Sequence, residues 1–191
     1  MARKTVLALA GSPVKGGSTD TLLDQAIEGA RKKDASVEKL YLCDLEIAPC
    51  NSRGECNKTG VCPIGDDMKG LCKKLLKSDV IILASPIYFM GLPAQLKAMI
   101  DRCQSLWVER FKLKKKSGKG GRTGFFISVG GTAHPQLFDG AVATVKSFFK
   151  TVGVRYAGDL LFSEIDKKED IMAHPTAMKD AFEAGGKLTG R

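Results

Sequence analysis

Apolar runs without polar alternation recur along this chain, and most are followed by a stretch of helical spacing. Thr5 to Ala10 (T-V-L-A-L-A) is such a run, and it predicts a strand buried on both faces. Leu22, Leu23, Ala26, Ile27 and Ala30 then recur at helical spacing. Ser36 to Leu42 alternates and predicts an outer strand, and Asp66 and Asp67 open a helix whose inner face is Met68, Leu71, Cys72 and Leu75. Acidic residues in a first turn suit the helix dipole. A second buried strand, Asp79 to Ser85, precedes a helix carrying Leu92, Leu96, Met99, Ile100, Cys103 and Trp107. A third, Thr123 to Val129, precedes a helix carrying Leu137, Ala141, Val145, Phe148, Phe149 and Val152. Val154 to Phe162 is the fifth strand, and a helical tail from Pro175 turns Ala177, Met178, Ala181 and Phe182 inward. Strands alternating with helices predict an α/β fold with a parallel sheet. No internal repeat or domain boundary interrupts residues 1–191, which read as one domain.

The turn between the first strand and helix carries candidate chemistry. Gly11 ends the strand, and Ser12 to Thr19 is a loop of small residues. Helix N-terminal N–H groups lack intrahelical partners and carry partial positive charge, and glycine lets a phosphate approach the backbone. Ser12, Ser18 and Thr19 add hydroxyl donors and Lys15 adds charge. A plain turn capped by Ser18 needs one hydroxyl; this loop has three and a lysine. It is not a Walker loop, because Gly17 stands where the lysine belongs, and G-x-G-x-x-G is absent. No cysteine begins a C-x5-R phosphatase loop.

The stretch resembles the G-S-x-x-x-G-G-N-T loop of the NAD(P)H-dependent flavin reductases, a flavodoxin-like family. Gly11, Ser12, Gly16, Gly17 and Thr19 match, with Ser18 in place of Asn. The family's S-P-x-Y-x-x-x-x-x-x-x-L-K-x-x-x-D-R signature is matched by Ser85, Pro86, Tyr88, Leu96, Lys97, Asp101 and Arg102. The resemblance implies a doubly wound five-stranded parallel sheet of order 2-1-3-4-5. Ligands of such sheets bind beyond the carboxyl ends of the strands, at the switch point between strands 1 and 3.

Three loops then meet. Ser12, Pro13, Lys15, Gly17, Ser18 and Thr19 would hold the phosphate of flavin mononucleotide (FMN). Pro86, Ile87, Tyr88, Phe89, Met90 and Gly91 would lie against the isoalloxazine ring, and Ser128, Gly130, Gly131 and Thr132 would admit its other side. No catalytic side chain is demanded: the resemblance implies that flavin N5 takes a hydride from NAD(P)H and passes electrons to a flavin, quinone or other small acceptor. Asp101 and Arg102 read as helix-surface charges or a structural ion pair, and His134 and His174 as helix-start and loop residues.

Residues 43–65 form a long irregular segment with Pro49, Gly54, Gly60 and Pro63, and loops of this length usually carry function. Within it, P-C-N-S-R-G-E-C-N-K-T-G-V-C is similar to the cluster loop of the iron–sulfur flavoproteins. Cys50, Cys56 and Cys62 align as metal ligands, but Arg53 stands where a second cysteine is expected in C-x2-C-x2-C. A [4Fe–4S] cluster normally takes four thiolates, and a zinc site is also one ligand short. Three readings stand: a cluster-less loop flapping over the flavin, a cluster on three protein ligands, or a redox-active thiol pair with Arg53 favouring thiolate. Cys43, Cys72 and Cys103 fall on apolar faces and read as core.

Composition narrows the classes. With 191 residues, 43% hydrophobic and 27% charged, the chain reads as an ordinary globular protein. No apolar run approaches the ~20 residues of a membrane span. The first strand follows Met-Ala-Arg-Lys directly, so the expectation is a cytoplasmic protein without a signal peptide. The net charge of +9 (30 Lys and Arg, 21 Asp and Glu) favours anionic partners. Arg110, Lys112, Lys114, Lys115, Lys116, Lys119 and Arg122 form a basic loop over 110–122. It reads as solvated by default, or as attracting NAD(P)H phosphates or an acidic redox protein. Nucleic acid is disfavoured, because Phe111 is its one aromatic and no reading module is present. The resemblance implies a homodimer or larger. Its alternative function is electron transfer from a ferredoxin-like donor.

Overall fold

A computed structural model describes residues 3–115 and 118–190. Lys116 of the basic stretch and the Met1–Ala2 start lie outside the described residues. Parallel strands β1 (Thr5–Ala10), β2 (Ser36–Tyr41), β3 (Val80–Pro86), β4 (Thr123–Val129) and β5 (Arg155–Phe162) form a 5-stranded sheet in the order β2-β1-β3-β4-β5. This is the flavodoxin-like order. The helices are α1 (Ser18–Arg31), α2 (Cys56–Thr59), α3 (Met68–Lys77), α4 (Ala94–Arg102), α5 (Gln104–Trp107), α6 (Asp139–Thr151), α7 (Lys168–Ala173) and α8 (Ala177–Thr189). Among the described residues no helix is long and apolar enough to cross a membrane.

The apolar strand runs have a direct cause. Val6, Ala8 and Ala10 of β1 pack with Leu22, Leu23 and Ala26 of α1, Ile171 of α7, and Ala177 and Ala181 of α8. Leu7 and Leu9 face the opposite layer, with Leu71 and Leu75 of α3, Leu96 and Met99 of α4, and Val145 and Phe148 of α6. Successive side chains point to opposite faces, so a strand covered on both sides is apolar throughout. On the first layer α1 and α8 meet backbone to backbone. A Cβ on Gly29 would lie 1.9 Å from the Phe182 carbonyl oxygen, and one on Gly185 would lie 1.8 Å from that of Ala26.

Several elements differ from the sequence expectation. Leu42 leaves β2 and starts a 3-10 turn, Leu42–Asp44. The irregular segment 43–65 contains the one-turn α2. The single helix expected through Trp107 breaks at Cys103 into α4 and α5, followed by a π turn, Val108–Lys112. Leu106 is buried there, whereas Trp107 is 42% exposed. Cys43 is only partly buried, so it is not a core residue.

Arg122 is the clearest correction to the basic loop. Its guanidinium is buried and donates to the carbonyls of Ser78 (2.7 Å), Val152 (2.7 Å) and Leu75. These carbonyls close the C-termini of α3 and α6, whose partial negative charge stands in for a carboxylate. Lys115 donates to the Thr59 carbonyl at 3.3 Å, and Lys119 pairs with Asp79 at 3.3 Å. Part of the basic stretch is therefore structural. Arg122→Met leaves carbonyls buried without donors and is expected to cost about 2–3 kcal/mol. Urea unfolding checks this as a lower midpoint at unchanged slope.

Candidate functional site

The site begins where β1 stops. The Gly11 N–H donates to the Ala84 carbonyl at 2.7 Å, tying the end of β1 to β3. Ser12 is 7% exposed, and its Oγ accepts the Val14 N–H at 3.0 Å. The hydroxyl hydrogen of Ser12 therefore remains for another acceptor. Gly17, not Ser18, occupies the N-cap, and no side chain caps α1. The Thr21 N–H closes the first helical bond, to the Gly17 carbonyl at 2.9 Å. The N–H groups of the first turn, Ser18 to Asp20, have no acceptor within the helix.

An acidic residue in that turn would oppose an anion, but Asp20 is engaged elsewhere. It accepts the Gly16 N–H at 2.7 Å and the Tyr41 hydroxyl at 3.1 Å, and pairs with Lys39 at 2.5 Å. Burial alone would raise its carboxyl pKa. The hydrogen bonds from Lys39 and the Gly16 N–H outweigh burial and hold it below the ordinary value. Lys15 turns away too, its Nζ 2.6 Å from Asp44 and 4.9 Å from the centre of the Tyr41 ring.

The turn after β3 is a tight hairpin. Tyr88 and Gly91 exchange both backbone hydrogen bonds at 2.9 Å, and Phe89 and Met90 at the tip have φ of +48° and +62°. Neither is a glycine, so each left-handed residue costs roughly 1–2 kcal/mol. This strain holds an apolar tip in the open: Phe89 is fully exposed, and Tyr88 and Met90 are nearly half exposed.

Beyond β4 the chain crosses itself. The Gly130 N–H donates to the Phe162 carbonyl at 2.9 Å, and the Ile165 N–H returns to the Gly130 carbonyl at 3.0 Å. A Cβ on Gly131 would lie 2.0 Å from Asp166 Oδ1, so the Asp166 carboxylate sits directly against the Gly131 backbone. Asp170 Oδ2 accepts the N–H groups of Asp166 and Lys167, both at 3.0 Å.

These turns enclose a cavity of about 330 Å3. Ser12, Gly17, Ser18, Thr19, Pro86, Ile87, Tyr88, Gly130 and Gly131 line it, all of them singled out from the sequence. Pro13, Lys15, Phe89, Met90, Gly91 and Thr132 are not among the lining residues. Ser128 is wholly buried in the sheet beneath, its hydroxyl donating to the Ser85 carbonyl at 2.7 Å. Val14, Val129 and the segment Ile165 to Lys168 complete the lining and escaped the sequence reading. The one available signal was the Asp-Lys-Lys that follows β5. His134 and His174 use their rings locally: His134 Nδ1 accepts the Gln136 N–H at 3.2 Å, and His174 Nδ1 accepts those of Thr176 (3.3 Å) and Ala177 (3.2 Å). A wider groove of about 1040 Å3 between α1 and α8 lies at the opposite end of the sheet, beside Arg3, Lys4 and Lys33.

The donors fit FMN. The hydroxyl of Ser12 and the first-turn N–H groups suit a phosphate, and the apolar turn after β3 suits a ring. A cluster fits less well. Cys50, Cys56 and Cys62 line a separate cavity of about 200 Å3 together with Arg53 and Gln104. Among the described residues no group of three or more His, Cys, Asp or Glu side chains is placed to hold a metal ion. Burial pushes the Cys56 thiol above its ordinary pKa, the reverse of the thiolate expected beside Arg53.

Arg102 is the structural ion pair of the two alternatives. Its guanidinium is buried against Asp66 (2.5 and 3.0 Å) and donates to the carbonyls of Ala48 (2.7 Å) and Ile64 (3.5 Å). Both ends of the cysteine segment are thereby fixed to α4. Asp101 instead pairs with Lys97 on the helix surface at 2.9 Å.

Known proteins share this architecture. The chain is 35% identical over 127 residues to an iron-sulfur flavoprotein of Methanosarcina thermophila, covering 66% of this chain and 63% of that protein. It is 32% identical over 151 residues to an iron-sulfur flavoprotein of Archaeoglobus fulgidus, covering 79% and 66% respectively. The match thus spans less than two thirds of the length of these curated relatives. An NAD(P)H:quinone oxidoreductase from Methanothermobacter marburgensis superposes with a TM-score of 0.74 over 100% of this chain and 99% of its own, at 16% identity. That likeness shows the fold. The family model described as NADPH-dependent FMN reductase matches residues 5–161, and with the sheet order and strand-end turns as found, the chain belongs to that family.

Proposed function

We propose that this protein is an FMN-dependent NAD(P)H oxidoreductase that reduces a flavin, quinone or other small acceptor. The observation that carries the reading is the meeting of the turns after β1, β3 and β4 on one cavity. Bound FMN supplies the redox chemistry, accepting a hydride from a nicotinamide. The chain's part is binding and orientation. Ser12, Ser18 and Thr19, with the first-turn N–H groups of α1, hold the phosphate. Pro86 to Tyr88 form the apolar wall beside the ring, and Gly130 and Gly131 keep side chains from its other edge. The strained hairpin tip at Phe89 and Met90 leaves an apolar rim at the mouth, which supports a homo-oligomer in which a second copy covers the site.

The likeness to iron-sulfur flavoproteins favours a second reading, electron transfer through a cluster, for which the donor would be ferredoxin-like. Arg53 in place of a fourth thiolate weighs against it. Titration with FMN, then anaerobic addition of NADH or NADPH, separates the two. The expected result is one FMN per chain, bleached by a nicotinamide, with iron and sulfide far below one per chain. Protein that binds no FMN defeats the proposal. Protein that carries iron and sulfide and ignores both nicotinamides establishes the second reading.

A further inference from the structure

Sequence reasoning assigns the positive charge of the phosphate site to Lys15, which in the structure pairs with Asp44 and is absent from the cavity lining. The charged residues that line the cavity, Lys167 and Lys168 with Asp166 beside them, come from the far end of the chain. After β5 the backbone passes Gly130 through the Ile165 N–H and enters α7, whose Ile171 is buried in the same core layer as Leu22 and Leu23 of α1. This return path carries Lys167 and Lys168 from the outer edge of the sheet to the side of the β1–α1 loop. Both lysines line the cavity that Ser12, Ser18 and Thr19 line. Neither forms a salt bridge with a carboxylate among the described residues. The turn that holds them is fixed by Asp170 and by the contact of Asp166 with Gly131. A buried Ser12 hydroxyl with its hydrogen unassigned faces the same space.

We infer that Lys167 and Lys168 are the cationic half of the phosphate subsite, and that they make the protein select the phosphorylated flavin over riboflavin. This rests on the FMN reading above. It places the charge opposite the helix N-terminus, so the phosphate meets N–H donors on one side and ammonium groups on the other. Charge-assisted hydrogen bonds of this kind are about twice as strong as neutral ones.

The test is a fluorescence titration of the flavin-free full chain with FMN and, separately, with riboflavin. It compares the wild type, Lys167→Gln/Lys168→Gln, the arginine pair Lys167→Arg/Lys168→Arg, and Lys15→Gln. The glutamine pair is expected to weaken FMN about tenfold or more, leave riboflavin within about twofold, and flatten the salt dependence of FMN binding. The arginine pair should restore FMN affinity, and Lys15→Gln should change it less than about threefold. Wild type that binds FMN beside a glutamine pair of equal FMN affinity overturns the inference and leaves the functional reading standing. Equal weakening of FMN and riboflavin also overturns it, as does a raised KM for NADPH at unchanged FMN affinity. Wild type that binds neither flavin removes the functional reading first.

Discussion

Gly17→Asp is expected to weaken FMN binding by about a hundredfold or more, about 2.7 kcal/mol, while the fold stays at least as stable. Gly17 has φ of −77° and ψ of −173°, extended backbone open to any residue. A Cβ there would meet nothing nearer than Val14 at 3.7 Å. Aspartate is among the best N-cap residues and gains a few tenths of a kcal/mol over glycine. The new carboxylate takes the N–H groups of Thr19 or Asp20, which are the donors assigned to the phosphate. It also sets a like charge beside that phosphate, and the neighbouring Asp20 is already ionised and neutralised by Lys39. Affinity and stability thus move in opposite directions, a pattern that a merely damaged protein does not give. Riboflavin, which lacks the phosphate, should be affected far less. Unchanged FMN affinity in a variant with undiminished Tm would place the phosphate away from the start of α1.

The strand-end turns were legible because topology fixes their position. Val6 to Ala10 and Val80 to Ala84 are buried on both faces, which forces the apolar runs that mark them as parallel strands. Once the strands alternate with helices, the turns after β1, β3 and β4 must be neighbours, whatever their sequence. The missed parts have the opposite character. The structural pairing of Arg102 was one of two open readings, but its partners were not legible, and Arg122 looks like surface charge in the sequence; both are buried by carbonyls and a carboxylate from 36 to 54 residues away for the first and 30 to 47 for the second. No local pattern reports that. The break at Cys103 turns the helix face by one residue, so the spacing that ran through Trp107 missed Leu106. The return of the chain after β5 runs through backbone hydrogen bonds of Gly130 with Phe162 and Ile165, a contact between distant turns. The pairing of Lys15 with Asp44 was hidden for a related reason: its place in the loop said nothing of a carboxylate 29 residues on.

Arg102→Leu is expected to destabilise the fold by about 3–5 kcal/mol at neutral pH, the cost of leaving a buried charge without its partner. The guanidinium is 2% exposed, and it satisfies Asp66 together with the carbonyls of Ala48 and Ile64. The deficit should depend on pH in a defined direction. Burial alone would raise the pKa of Asp66; the hydrogen bonds from Arg102 and the Ala48 N–H overcome this and hold it below the ordinary carboxylate value. A lowered folded pKa gives stability that is present above the unfolded value, about 3.9, and is lost as pH falls through the folded value. In the variant burial is less opposed, and an ionised Asp66 becomes a liability that protonation removes. Acid therefore takes away the wild-type gain and the variant's penalty together. Urea unfolding at pH 7 and again below about pH 4 should show the gap between the two proteins narrowing. Arg102→Lys keeps the charge but not the fork that reaches Asp66 and two carbonyls, and should fall between them. A gap under about 1 kcal/mol at neutral pH, or one that acid leaves unchanged, would mean that the cysteine segment is held to α4 by something other than this pair.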